Sequence, residues 1–185
     1  MIIALVGMTG SGKSTVAEIL KRKYGFPVVR FGDVTDDILR QRGLEQNEKN
    51  ERIIREELRK KYGMEAYAKL SKPRIDEALK EKGVVVVDGL YSWEEYLYLK
   101  GEYGDELILI HVFASPKTRY KRVSERDVRP LTEEEARERD RSEIENLHKG
   151  GPIAMADFVL INEGSLEELE KGLEDILQKL SLKKE

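Results

Sequence analysis

The chain has 185 residues, enough for one sizeable α/β domain and too few for two full ones. Its 33 Lys and Arg nearly balance 36 Asp and Glu, leaving a net charge of −3 and no basic excess of the kind a nucleic-acid surface carries. The absence of cysteine and a count of only two histidines exclude disulfide and thiolate chemistry and a His-based metal site. No apolar run approaches the ~20 residues of a membrane-spanning helix. A glycine-rich segment already begins at residue 7, so a signal peptide does not fit, and the expectation is a cytoplasmic protein without membrane attachment. A charged fraction of 37% would suit a heat-adapted source.

In chain order, short apolar runs alternate with amphipathic stretches, the rhythm of a parallel sheet covered by helices. The first run, 2–6, leads into Gly7-Met8-Thr9-Gly10-Ser11-Gly12-Lys13-Ser14, the spacing GxxxxGK[ST] between a strand and a helix. Glycines let successive backbone N–H groups point inward at a phosphate, and the following helix presents its positive end. Lys13 then reaches the β- and γ-phosphates and the Ser14 hydroxyl ligates Mg²⁺, with Thr15 completing the nucleotide-contacting segment. The first helix carries Val16, Ala17, Ile19 and Leu20 toward the sheet and stops near Tyr24-Gly25.

The second strand, 27–31, ends in Phe31-Gly32-Asp33. Asp33 either caps the next helix or holds and deprotonates an acceptor hydroxyl. A charged helical insertion follows, from 33 to about 62. The third strand, 84–87, ends in Asp88-Gly89, where an acid after a β-branched run supports Mg²⁺ in P-loop proteins; an ordinary Asp-Gly turn is the alternative. Trp93, Tyr91, Tyr96 and Tyr98 beyond it either stack on a base or pack a helix.

The fourth strand, 107–113, contains His111, read as a packed histidine. Of the later arginines, Arg119, Arg122, Arg126, Arg129, Arg137, Arg139 and Arg141, most read as solvated helix surface paired with glutamates. Arg126 and Arg129 differ, flanking a break at Pro130 within a mobile lid over about 126–135 that would bring guanidinium groups onto the γ-phosphate. The fifth strand, 158–161, ends in Asn162-Glu163-Gly164, where Asn162 either contacts the nucleotide or makes an Asx turn before a capping box at Ser165 and Glu168. The last helix buries Leu166, Leu169, Leu173, Ile176, Leu177 and Leu180.

The P-loop, Asp88 at the third strand end, the lid arginines and the segment from Asp157 to Leu169 resemble dephospho-CoA kinase, within the wider nucleoside monophosphate kinase group. The likeness spans nearly the whole chain. Its more specific parts are Ser115-Pro116 through Arg119, Arg122 and Arg126, the segment Leu131 to Ala136, Arg139, and Ala156-Asp157 with Asn162. The resemblance implies five parallel strands in the order 2-3-1-4-5 with flanking helices and a small lid, as one P-loop kinase domain over 1–185. It also implies ATP and Mg²⁺ as cofactors, and phosphoryl transfer to a small-molecule acceptor by a monomer or small homo-oligomer.

In that scheme Lys13, Asp33, Arg126, Arg129 and Arg139 act on the transfer, Ser14 and Asp88 hold the metal, and Asp33, Arg40, Asp88 and Gly89 line the acceptor side. The sequence also departs from the pattern. Phe31-Gly32-Asp33 stands where dephospho-CoA kinases place Asp-Ala-Asp, and Lys72-Pro73 where they place His-Pro. Gly32-Asp33 with Leu39-Arg40 is instead similar to adenylate kinases, whose arginine there holds the acceptor phosphate; yet those also carry an arginine soon after Asp-Gly, where this chain has Leu90-Tyr91-Ser92. The acceptor is therefore dephospho-CoA or a nucleoside monophosphate. A GTPase switch is disfavoured because neither an Asn-Lys-x-Asp nor an Asp-x-x-Gly motif is present, and an AAA-type motor by length and by Gly89, where a catalytic Glu is expected. A nucleotide-binding regulator without transfer activity stays beside the kinase reading.

Overall fold

The computed structural model describes residues 1–127 and 130–182. Five parallel strands, β1 (Ile2–Val6), β2 (Val28–Arg30), β3 (Val85–Asp88), β4 (Leu107–Phe113) and β5 (Phe158–Ile161), form one sheet in the order β2-β3-β1-β4-β5. This is the expected order. Helices cover both faces, as parallel sheets require.

The alternation of side chains across the pleat divides the core in two. Ile2, Ala4 and Val6 of the central strand face one way, with Val85, Val87, Leu107 and Leu109, under α2 (Gly32–Gln41), α3 (Glu48–Tyr62), α4 (Ala66–Lys82) and α5 (Trp93–Tyr103). Ile3 and Leu5 face the other way, with Val86, Ile110 and Val112, against α1 (Lys13–Tyr24) and α9 (Leu166–Lys179). Every residue of β1 is fully buried, which explains why its sequence is continuously apolar rather than alternating.

Register fixes where the strand ends meet. Leu5 pairs with Asp88 and Val6 with His111, while Arg30 pairs with Asp88 across β2 and β3. The carboxyl end of β3 therefore lies level with the start of the loop at Gly7, and the turn after β2 lies beside both. Between β4 and β5 run α6 (Pro116–Glu125), α7 (Glu133–Leu147) and the short α8 (Gly150–Ala154). A capping box between Thr132 and Glu135 starts α7 just after the proline break.

Candidate functional site

The site grows from the loop between β1 and α1. Gly12 takes φ +97° as the N-cap of α1, and a Cβ there would stand 2.2 Å from Asn162 Nδ2, so this position requires glycine on two independent counts. Lys13, only 8% exposed, folds back over the loop and donates to the carbonyls of Gly7 at 2.8 Å and Met8 at 3.2 Å. Burial, reinforced by the nearby Lys149 ammonium, lowers the Lys13 pKa to about 7. Glu143 and Asp88 pull in the opposite direction.

Asp88 is buried, and burial pushes its carboxyl up against the opposing pull of Lys13 and Arg30 and a hydrogen bond with the Ser14 hydroxyl. The Asp33 charge also reaches it. The structure thus gathers Lys13, Ser14, Asp88 and Asp33, from three different strand ends, at one place. Ser14 and Asp88 offer two hard oxygens side by side, and among the described residues no group of three or more His, Cys, Asp or Glu could hold a metal by itself. Such a pair fits Mg²⁺, which takes one or two protein oxygens and completes its shell with phosphates and water.

Asp33 does not cap α2: the N-cap is Phe31, with no side-chain cap bond. It forms an ion pair with Arg30 at 2.8 Å instead. Arg40 is 78% exposed and pairs with Asp37 at 3.2 Å, in the helical region flanking the sheet. Gly89 is buried with φ +105°, beside Phe31. Thr15 is exposed on the first turn of α1. Arg126 is the C-cap of α6, and Arg129 lies outside the described residues.

Asn162 is 8% exposed and lies against the phosphate loop. Its side-chain amide donates to Ser11 O at 2.8 Å, so the end of β5 holds the phosphate loop from the side. Arg122 approaches Asn162 Oδ1 at 3.5 Å and keeps Nη1 buried without a partner; the hydroxyl of Ser11, inside the loop, is likewise buried and unpartnered. These orphaned polar atoms against the loop mark it as a place built for a polar ligand.

Residues of α6, α7 and the turn into α8 brace the same loop. Arg119, one of the arginines read as solvated surface, is 4% exposed, donates to Thr9 O at 3.0 Å and makes a bidentate pair with Asp140 at 2.8 and 2.6 Å. Glu143 accepts from the Thr9 hydroxyl at 2.8 Å, from Arg139 Nε at 3.2 Å and from Lys149 Nζ at 2.7 Å. Burial pushes the Glu143 carboxyl up, but Lys149, Arg139 and Thr9 outweigh it and hold it down at about 2. Tyr91 lays its ring 4.5 Å from Lys149 Nζ, and Trp93 packs with Tyr96 at 5.1 Å, so neither is offered to a base in this structure. Arg119 and Arg139 stand in the segments that resemble dephospho-CoA kinase, and Arg139 and Glu143 stand one turn apart on α7; nothing in the sequence marks Asp140 or Lys149.

With this geometry in view, the family described as an AAA domain matches residues 3–147. A UPF0200/UPF0201 protein of Archaeoglobus fulgidus is 42% identical over 184 residues, covering 97% of this chain and 56% of the relative. The chain thus spans little more than half of that relative. A UPF0200 protein of Thermococcus gammatolerans is 37% identical over 97% of this chain and 95% of its own length. The chain belongs to the UPF0200 family and carries an AAA domain. Among solved structures, TT1252 from Thermus thermophilus matches with a TM-score of 0.59 and 26% identity over 97% of both chains. Shikimate kinase from Bacteroides thetaiotaomicron matches with 0.61 and 16% over 98% of this chain and 99% of that one, a likeness of fold. No helix among the described residues is long and apolar enough to cross a membrane.

Proposed function

We propose that the protein is an ATP-dependent phosphotransferase acting on a small nucleotide-type acceptor, with dephospho-CoA the favoured acceptor and a nucleoside monophosphate the second reading. The observation that carries it is the convergence of the Gly7–Ser14 loop with Asp88 and Asp33 at the carboxyl ends of the strands, the place where open parallel sheets bind ligands. A kinase-like P-loop fold with this loop is the setting in which ATP and Mg²⁺ are used together.

In this reading the loop amides and Lys13 hold the β- and γ-phosphates, and Ser14 and Asp88 hold Mg²⁺. When bound, the ion neutralises charge on the phosphates. Asp33, oriented by Arg30, accepts the proton as the acceptor hydroxyl oxygen attacks the γ-phosphorus and the bridge to the β-phosphate breaks. Arg139 and Arg126 stabilise the transferred group, and Arg129 belongs to the same proposal on sequence grounds alone. The likeness of residues 115–169 to dephospho-CoA kinases favours that acceptor; Gly32-Asp33 with Arg40 favours a monophosphate.

A panel of acceptors with Mg-ATP decides between them. Transfer to dephospho-CoA with no activity on monophosphates supports the first reading, and monophosphate kinase activity lost in Arg40→Ala supports the second. Asp33→Asn is expected to slow transfer about 10²-fold with nucleotide affinity little changed. ATP consumption that no acceptor raises above background would move the silent regulator ahead of both.

A further inference from the structure

The loop has a second buried lysine beside it. Lys149 is fully buried, more so than Lys13, and its ammonium is fixed by Glu143 at 2.7 Å and by the face of Tyr91 at 4.5 Å. Its position is built with some care. His148 adopts φ +52° at the end of α7, so the chain reverses and Lys149 is returned toward the helix it has just left. Gly151 then lets the backbone approach Trp93 so closely that a Cβ would stand 2.5 Å from the indole. A buried Lys–Glu pair stabilises a fold no better than a well-packed apolar pair, so folding alone does not account for it.

The surroundings account for it better. Glu143 is shared by the Thr9 hydroxyl of the phosphate loop, by Arg139 and by Lys149, three donors arranged around one carboxylate. Lys149, Glu143, Asp88 and Arg139 all act on the charge of Lys13, and Asp140 acts on that of Lys149. A phosphoryl group offers further acceptor oxygens to such a set of donors.

We propose that Lys149 is a second phosphoryl-binding lysine of this site, directed at the terminal phosphate of a nucleoside triphosphate, with Glu143 as its resident counter-ion. This rests on the P-loop reading above. The loop amides serve the inner phosphates, whereas Lys149 lies across the cluster on the side of Thr9, Arg139 and α7, which meet at Glu143. The Lys149 ammonium has three N–H donors and gives one to Glu143, so a phosphoryl oxygen can join that carboxylate as a second acceptor without displacing it.

The test is calorimetric titration of the full chain with Mg-ATP and Mg-ADP. Lys149→Gln, whose amide still donates to Glu143, is expected to bind Mg-ATP at least about tenfold more weakly and Mg-ADP within about twofold of wild type. Should that variant fail to fold, the double variant Glu143→Gln with Lys149→Gln leaves no buried charge unpaired, and its preference for ATP over ADP is expected to fall at least about threefold. A folded variant that keeps the wild-type ratio of the two affinities overturns the proposal and leaves Lys149 a structural residue. Wild-type protein that binds neither nucleotide overturns the P-loop reading and this one with it, whereas tight binding of both by wild type with an unchanged ratio in the variant overturns this one alone.

Discussion

Glu143 shows how much a single buried carboxylate can carry. Three donors from three segments hold it ionised far below its ordinary value of 4.5, down to about 2. A carboxyl depressed in the folded state contributes stability above its unfolded pKa and loses it as the pH falls through the folded one. Here that window runs from about 4.5 to about 2. Urea unfolding of wild type and of the double variant Glu143→Gln with Lys149→Gln, followed from neutral pH to pH 2.5, should show wild type losing stability more steeply below pH 4.5. Parallel pH profiles would show that Glu143 contributes nothing to acid sensitivity.

Among the elements, the short α8 matters more than its length implies. Gly150 to Ala154 carries no catalytic side chain, but its first turn sets Lys149 into the core and its Gly151 meets Trp93 of α5. Gly151→Ala should force the indole aside, an overpacking change worth about 1–3 kcal/mol. For a chain of this size each kcal/mol lowers Tm by roughly 2–4 °C. A thermal melt superimposable on wild type would mean that this helix shifts freely. Element α4 makes a different point: Pro73 lies inside it, although proline removes a helical hydrogen bond and normally ends a helix. Packing of Ile75 and Ala78 against β3 and its neighbours, with both residues buried, keeps the helix continuous.

At the scale of the whole molecule, the loop is held by three parts of the chain that lie more than a hundred residues away in sequence. Asn162 grips Ser11 from β5, Arg119 grips Thr9 from α6, and Glu143 grips Thr9 from α7. Ligand that occupies the loop should therefore stabilise the entire fold. At about 100 times Kd the gain is about 2.7 kcal/mol, or a rise in Tm of roughly 5–10 °C. Mg-ATP is expected to raise the wild-type Tm by that order and to leave Lys13→Ala nearly unmoved. Equal shifts in both proteins would place nucleotide binding away from the loop.

Much of this was legible in the chain itself, and the reason is that local patterns encode local structure. The continuous apolar runs 2–6 and 107–113 identify buried parallel strands, and the spacing from Gly7 to Ser14 identifies the loop without any tertiary information. The strand order followed from the resemblance to P-loop kinases, and the meeting of Asp33, Asp88 and Ser14 from the rule that sites in open parallel sheets lie at the carboxyl ends of the strands. What remained hidden depends on contacts between residues far apart in sequence. The pairing of Arg119 with Asp140, of Asn162 with Ser11, and of Lys149 with the Thr9–Glu143 pair is set by how the elements dock, and no local pattern names these partners. Burial decides the difference: the charge that water would screen on a free helix face becomes, in the packed fold, the strongest local force on the phosphate loop.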